Sequence, residues 1–264
     1  MKTRLTLILP LLLCIVCYAQ QERQKGKGNG KGGARMSAGA FETKVPERPY
    51  DLVLGRPTKT EVTVSILTYQ DRVGVIKYGT KPGQFEKSSG ILSLKAGEPI
   101  ELVIASLKPD TRYFYQFQSR RDGAEEMEKS PEYSFMTARP PAAPFTFTIQ
   151  ADSHLDPGTS PEVYHQCLIN SLNAKPDFHI DLGDTFMNDK YEDYKDSAPQ
   201  YLAQRYYFGL VGHSAPVFLV LGNHDGETVD KLGSGPDSMA VWSNQMRKRY
   251  FPNPLPNDFY TGNT

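Results

Sequence analysis

Three short polar clusters carry the side chains best suited to hold cations: Asp152-Ser153-His154, Gly183-Asp184 and Gly222-Asn223-His224-Asp225. Carboxylate and carboxamide oxygens joined by an imidazole form a ligand set for divalent or trivalent ions such as zinc, manganese and iron. An isolated Asp-x-His would arise often by chance. These three stand out because each ends a β-rich run: Phe145 to Gln150, Phe178 to Leu182 and Val217 to Leu221. In an open α/β sheet the carboxyl ends of parallel strands share one rim, so clusters far apart in the chain can converge there.

The elements needed for that convergence can be read around the clusters. Ser160 as N-cap, Pro161 at the first helical position and Glu162 in the first turn announce a helix between the first two runs. Val163, Cys167, Leu168 and Leu172 are expected to form its apolar face, which makes Cys167 a small core residue and turns His165 elsewhere. Further helical stretches are expected from about Tyr191 to Phe208 and from about Asp237 to Tyr250. Strands alternating with helices predict a βαβ layout. His179 and His213 lie outside the clusters, and Asp181 is expected to face away from the rim and offer a supporting hydrogen bond at most.

Between about Val45 and Ala138 the pattern changes. Short alternating runs such as Val62 to Ile66, Gly74 to Tyr78, Ile100 to Ile104 and Tyr113 to Phe117 suit half-buried strands, with Gly79 to Gly83 and Lys108-Pro109-Asp110 as turns. An antiparallel sandwich follows. The run from Leu107 to Tyr115 resembles the L-x-P-x-T-x-Y-x-Y signature of fibronectin type III-like domains. That resemblance implies that the Tyr113 hydroxyl bonds back to upstream backbone. Arg139-Pro140-Pro141-Ala142-Ala143-Pro144 then makes a stiff junction, since proline fixes its own φ and extends its predecessor.

At the N-terminus, Lys2 and Arg4 precede an apolar run from Leu5 to Ala19 interrupted by Pro10, the layout of a cleaved secretory signal. Residues 20–44 read as a basic Gly/Lys-rich linker. Cys14 and Cys17 lie in the leader, so the exported chain would keep Cys167 alone and no intrachain disulfide. The expected location is periplasmic, extracellular or cell-surface, with no stable membrane insertion after cleavage. The charges balance at 30 basic and 30 acidic residues, so total charge suggests neither a nucleic-acid partner nor an anionic membrane.

The order D-x-H, G-D, G-N-H-[DE] resembles the calcineurin-like metallophosphoesterases, and every position from Asp152 to Asp225 matches it. The resemblance implies a four-layer αββα catalytic domain of which residues 140–264 are the N-terminal part, behind a sandwich at 45–139. It implies two metal ions (Fe, Zn or Mn), with Asp152 and His154 on one, Asp184 bridging and Asn223 on the second. His224 would face a small-molecule phosphoester substrate, and Asp225 would orient the His224 ring. The order of sandwich then phosphoesterase is similar to purple acid phosphatases. Those have D-x-G in the first cluster and a tyrosine where this chain has Met187, so their colour and obligatory ferric iron are not expected here. The family pattern continues with a lone histidine and G-H-x-H, whereas no histidine follows His224. A truncated, weakly active hydrolase is therefore expected. A non-catalytic surface protein with a remnant site, and an exported nucleotidase or nuclease, stay open as alternatives.

Overall fold

Alternation of apolar and polar residues builds two antiparallel sheets in a computed structural model that describes residues 41–227 and 235–262. The expected leader and most of the linker lie outside the described residues. The strands are β1 (Tyr50–Gly55), β2 (Val62–Thr68), β3 (Arg72–Gly79), β4 (Lys87–Ser88), β5 (Leu92–Leu94), β6 (Ile100–Ile104), β7 (Arg112–Arg121), β8 (Glu128–Lys129) and β9 (Tyr133–Met136). One sheet runs β1-β2-β6. The other runs β4-β3-β7-β8, with β5 added on β3 and β9 on β7. Between them lies a core that includes Leu54, Val64, Ile66, Ile76, Tyr115, Phe117 and Phe135. The Tyr113 hydroxyl accepts a 2.8 Å hydrogen bond from the Lys108 amide, as the fibronectin-like signature implied.

β2 was expected to be half-buried, yet all seven of its residues are buried. Its second face is covered by the helical region that follows the sandwich. Val53 and Leu67 pack with Phe208, Val217 and Phe251 in a separate apolar cluster. The fully buried Arg205 donates to Ser65 O, Ser65 Oγ, Asp51 O and Tyr250 O at 2.8 to 3.1 Å. Burial pulls this guanidinium down to about 10. These four bonds to uncharged oxygens occupy its two terminal nitrogens, while its buried Nε has no hydrogen-bond partner among the described residues. The sandwich and the α/β region accordingly belong to one unit, Arg35–Thr264.

Beyond the proline-rich junction, β10 (Phe147–Gln150), β11 (Phe178–Asp181) and β12 (Val217–Leu219) form a parallel sheet in that order. Phe147 stands opposite Phe178, and His179 opposite Val217. Helix α1 (Pro161–Asn173) links the first two strands, α2 (Ala198–Gly212) the next two, and α3 (Met239–Tyr250) follows β12. Ser160 caps α1 by accepting from the Val163 amide. A 3-10 turn at Asn188–Lys190 precedes the stretch expected to be helical from Tyr191, and a second at Tyr194–Ser197 falls within it, so that α2 itself begins at Ala198.

The buried face of α1 is rotated one residue from the expected one. Tyr164 and Leu168 point inward, while Val163 is 62% exposed and Cys167 is exposed, so Cys167 is not a core residue. Tyr164 takes the inward place because its ring stacks on Tyr207 at 4.6 Å and its hydroxyl reaches Gln204 Oε1 at 2.9 Å. The inner face of the sheet buries Val217, His179 and Asp181, while the outer face leaves Phe147 43% and Ile149 52% exposed.

Candidate metal centre

Each strand of the parallel sheet hands the chain to a tight turn at its carboxyl end, and these turns touch one another. A Cβ added to Gly183, which has φ +99°, would lie 2.0 Å from the Gly222 nitrogen, and one added to Gly222 would lie 2.2 Å from the Asp184 nitrogen. No side chain fits at either position, which is why glycine precedes both Asp184 and Asn223. Asp152, His154, Leu155, Asp184 and Met187 all adopt left-handed φ of 44° to 58°. A backbone held there costs about 1–3 kcal/mol per residue and persists only when its surroundings over-determine it.

That over-determination is visible. The Asp152 amide donates to Gly183 O at 3.0 Å and the His154 amide to Asp184 O at 3.1 Å, which ties the first turn to the second. The buried Asp225 carboxylate accepts four backbone N–H bonds, from Asp184, Thr185, Phe186 and Gly222, at 2.7 to 2.9 Å. This ties the second turn to the third. From α2, the Gln204 amide donates to Ser153 Oγ and Thr185 O at 3.0 Å each, and Gln200 donates to His154 O and to Thr185 O. Beneath the rim, Asp181 accepts from Gln150, Gly183 N and Thr185 Oγ1, which gives it the supporting role expected of it. Burial nevertheless pushes its carboxyl up to about 6, against the lowering effect of those bonds.

Held this way, donor atoms of Asp152, His154 and Asp184 lie within 4.8 Å of one another. His154 Nε2 stands 3.5 Å from Asp152 Oδ1 and 3.9 Å from Asp184 Oδ2, and it is buried with no hydrogen-bond partner. Its other nitrogen, Nδ1, faces Asp156 Oδ2 at 3.5 Å. An orphaned imidazole nitrogen between two carboxylate oxygens, with a carboxylate behind the ring, is the arrangement a cation completes. The donors present therefore fit a metal ion of the zinc, manganese or iron kind. Asn223 stands exposed on the third turn of the same rim.

The His224 ring lies beside this cluster, with its centroid 6.0 Å from that of His154. Its Nδ1 pairs with both oxygens of Asp189, at 2.9 and 3.0 Å. The expectation that Asp225 orients this ring therefore needs correction. Asp225 spends its oxygens on four amides, and Asp189 holds the ring. Sequence reading missed Asp189 because it sits in an irregular turn five residues past Asp184, where no periodicity marks it. The remaining histidines stay outside the cluster. His179 is buried under the sheet against Thr148 Oγ1, His213 stacks on Tyr133 at 4.1 Å, and His165 lies near Tyr206. Burial lowers both His179 and His213 to about 4.

Comparison with known proteins agrees with this geometry. Residues 145–262 match the family described as calcineurin-like phosphoesterase. Among solved structures, one described as PhoD aligns with a TM-score of 0.54 at 15% identity, over 80% of this chain and 48% of that one. Purple acid phosphatase PPD1 from yellow lupin (Lupinus luteus) seeds aligns with a TM-score of 0.57 at 16% identity, over 78% of this chain and 41% of that one. The chain thus spans less than half the length of either structure, and identities this low speak for the fold alone. No curated protein matches the chain.

Proposed function

We propose, on the premise that residues 145–262 are a calcineurin-like metallophosphoesterase domain, that the chain contributes to an exported phosphoester hydrolase that works with two metal ions. The observation that carries this reading is the convergence of Asp152, His154 and Asp184 around a buried imidazole nitrogen that lacks a partner. Asp152 and His154 would hold one cation, Asp184 would be shared, and Asn223 would serve the second. Four such ligands are few for two cations, so further donors would tighten the site.

When bound, cations of this kind act as Lewis acids that stabilise charge on phosphoryl oxygens and acidify a coordinated water. The protein's own part is placement and proton handling. The paired turns fix Asp152, His154 and Asp184 before any ion arrives, so little reorganisation is left for binding. Asp189 takes the Nδ1 side of His224, which leaves Nε2 for substrate. In its protonated form the ring gives Nε2–H to the departing ester oxygen, and in its neutral form it accepts a proton there. The reaction adds water across the P–O bond and releases an alcohol.

The reading is tested with p-nitrophenyl phosphate and bis-p-nitrophenyl phosphate on the full chain supplied with manganese, zinc or iron. Turnover should require metal and fall to background in His154→Ala and Asp184→Asn. Turnover that survives chelation or either substitution would contradict it. Export rests on the basic and apolar run from Lys2 to Ala19, and a mature N-terminus at Gln20 would support it. The described residues contain one three-donor group, which suits the competing reading of a remnant site in a surface-binding protein. A folded chain that retains no metal would favour that alternative.

A further inference from the structure

Phe41 to Lys44 end the stretch expected to be a linker, yet with Val45 they line up against the α/β region with alternate residues turned inward. Phe41, Thr43 and Val45 are half-buried, while Glu42 and Lys44 are exposed. Phe41 and Val45 pack on the apolar cluster that includes Leu155, Tyr164, Leu168 and Ala203. Between them, Thr43 Oγ1 donates to Leu155 O at 3.1 Å, across 112 residues of chain. Leu155 is buried and directly follows His154.

This anchorage bears on the metal site through the backbone. Asp152, His154 and Leu155 all have left-handed φ, of 46° to 58°, a conformation that such residues keep only when their neighbours hold them there. The Asp152 and His154 amides are held by the second turn, and His154 O by Gln200 on α2. Leu155 O, at the end of the turn, is held by Thr43. Cavities of about 220 and 710 Å³ both open against Phe41, Glu42 and Thr43. Packing around this segment is therefore incomplete, and the directional bond to Leu155 O sets where it sits.

We propose that residues 41–45 are a strap that positions the metal site, with Thr43 as the positioning residue: its bond to Leu155 O holds the Asp152–Leu155 turn where His154 Nε2 faces the carboxylates of Asp152 and Asp184. The strap acts by raising the share of molecules whose turn is ready for a cation, and apparent affinity scales with that share. Its effect on cations rests on the two-metal reading above, and its effect on the turn rests on the geometry alone.

The test uses the full chain as wild type, as Thr43→Val, which removes the hydroxyl at nearly constant shape, and as Thr43→Ser, which keeps it. In metal-free protein, amide hydrogen exchange followed by NMR should quicken about three- to tenfold at Asp152 and His154 in Thr43→Val, the range for losing one neutral hydrogen bond. Exchange at Thr185 and Phe186, whose amides the Asp225 carboxylate holds, should keep its wild-type rate. Cobalt binding, titrated by its visible absorption, should weaken by the same factor as the first two amides quicken. Thr43→Ser should match wild type in both measurements. A merely structural strap would quicken all four amides alike and leave cobalt affinity unchanged. Either of those results, or exchange indifferent to Thr43→Val, would overturn the proposal while leaving the two-metal reading intact. A wild-type chain that binds no cobalt would contradict the two-metal reading instead, and the exchange pattern would then decide the strap by itself.

Discussion

Replacing Asp225 with asparagine tests whether this carboxylate is a clamp or a catalytic accessory. Its two oxygens accept from four backbone amides on two turns, Oδ1 from Thr185 and Phe186 and Oδ2 from Asp184 and Gly222. An asparagine keeps one oxygen and turns an NH2 toward the other pair of donors. Hydrogen bonds to an ionised acceptor are worth about 1.5–3 kcal/mol each. Two lost bonds therefore predict a destabilisation of about 3–6 kcal/mol, and the surviving pair loses its charge assistance as well. Few single substitutions cost this much. Urea unfolding of wild type and Asp225→Asn, followed by circular dichroism, measures the difference directly. A loss below about 1 kcal/mol, with hydrolysis impaired, would refute the clamp and return Asp225 to the His224 ring.

Asp189→Asn should cost less stability than Asp225→Asn while lowering turnover at least about tenfold, because it weakens the charged contact that orients the His224 ring. Gly183→Ala should cripple metal retention, measured by elemental analysis after dialysis, because its Cβ would collide with the Gly222 nitrogen. The two buried histidines give acid sensitivity with a definite sign. Their folded pKa of about 4 lies below the unfolded value near 6.5. Their neutral forms thus favour folding fully above about pH 6.5, and stability should drain away as pH falls from there to 4. The raised Asp181 titrates with the opposite sign between its ordinary value of 3.8 and about 6, and offsets part of this loss. Unfolding curves of His213→Gln between pH 7 and 4 should therefore be flatter than those of wild type. Iron-loaded protein should lack a phenolate-to-iron absorption band, since Met187 stands where purple acid phosphatases have their tyrosine, and a visible spectrum checks it.

What could be read from sequence was the part written in local pattern. Three β-rich runs ending in polar clusters gave the parallel sheet and its rim. Ser160-Pro161-Glu162 marked the start of α1, and the run around Tyr113 marked the turn its hydroxyl closes. What escaped was decided by tertiary partners. Asp225 and Asp189 are both carboxylates near His224, and only the positions of four amides show which one is occupied elsewhere. The inward face of α1 was misjudged because Tyr164 competes with Val163 through a stacking partner on another helix. Arg205, which would pass for a solvated charge in a helix, is the buried link to the sandwich. Gln200 and Gln204 brace the rim from α2 without any motif to announce them.

The most direct test of the account is an anomalous difference map at the zinc edge from crystals of the full chain grown with zinc. A peak at about 2.0–2.2 Å from His154 Nε2 and from carboxylate oxygens of Asp152 and Asp184 is the expected result. Zinc bound elsewhere with these three side chains empty would contradict it.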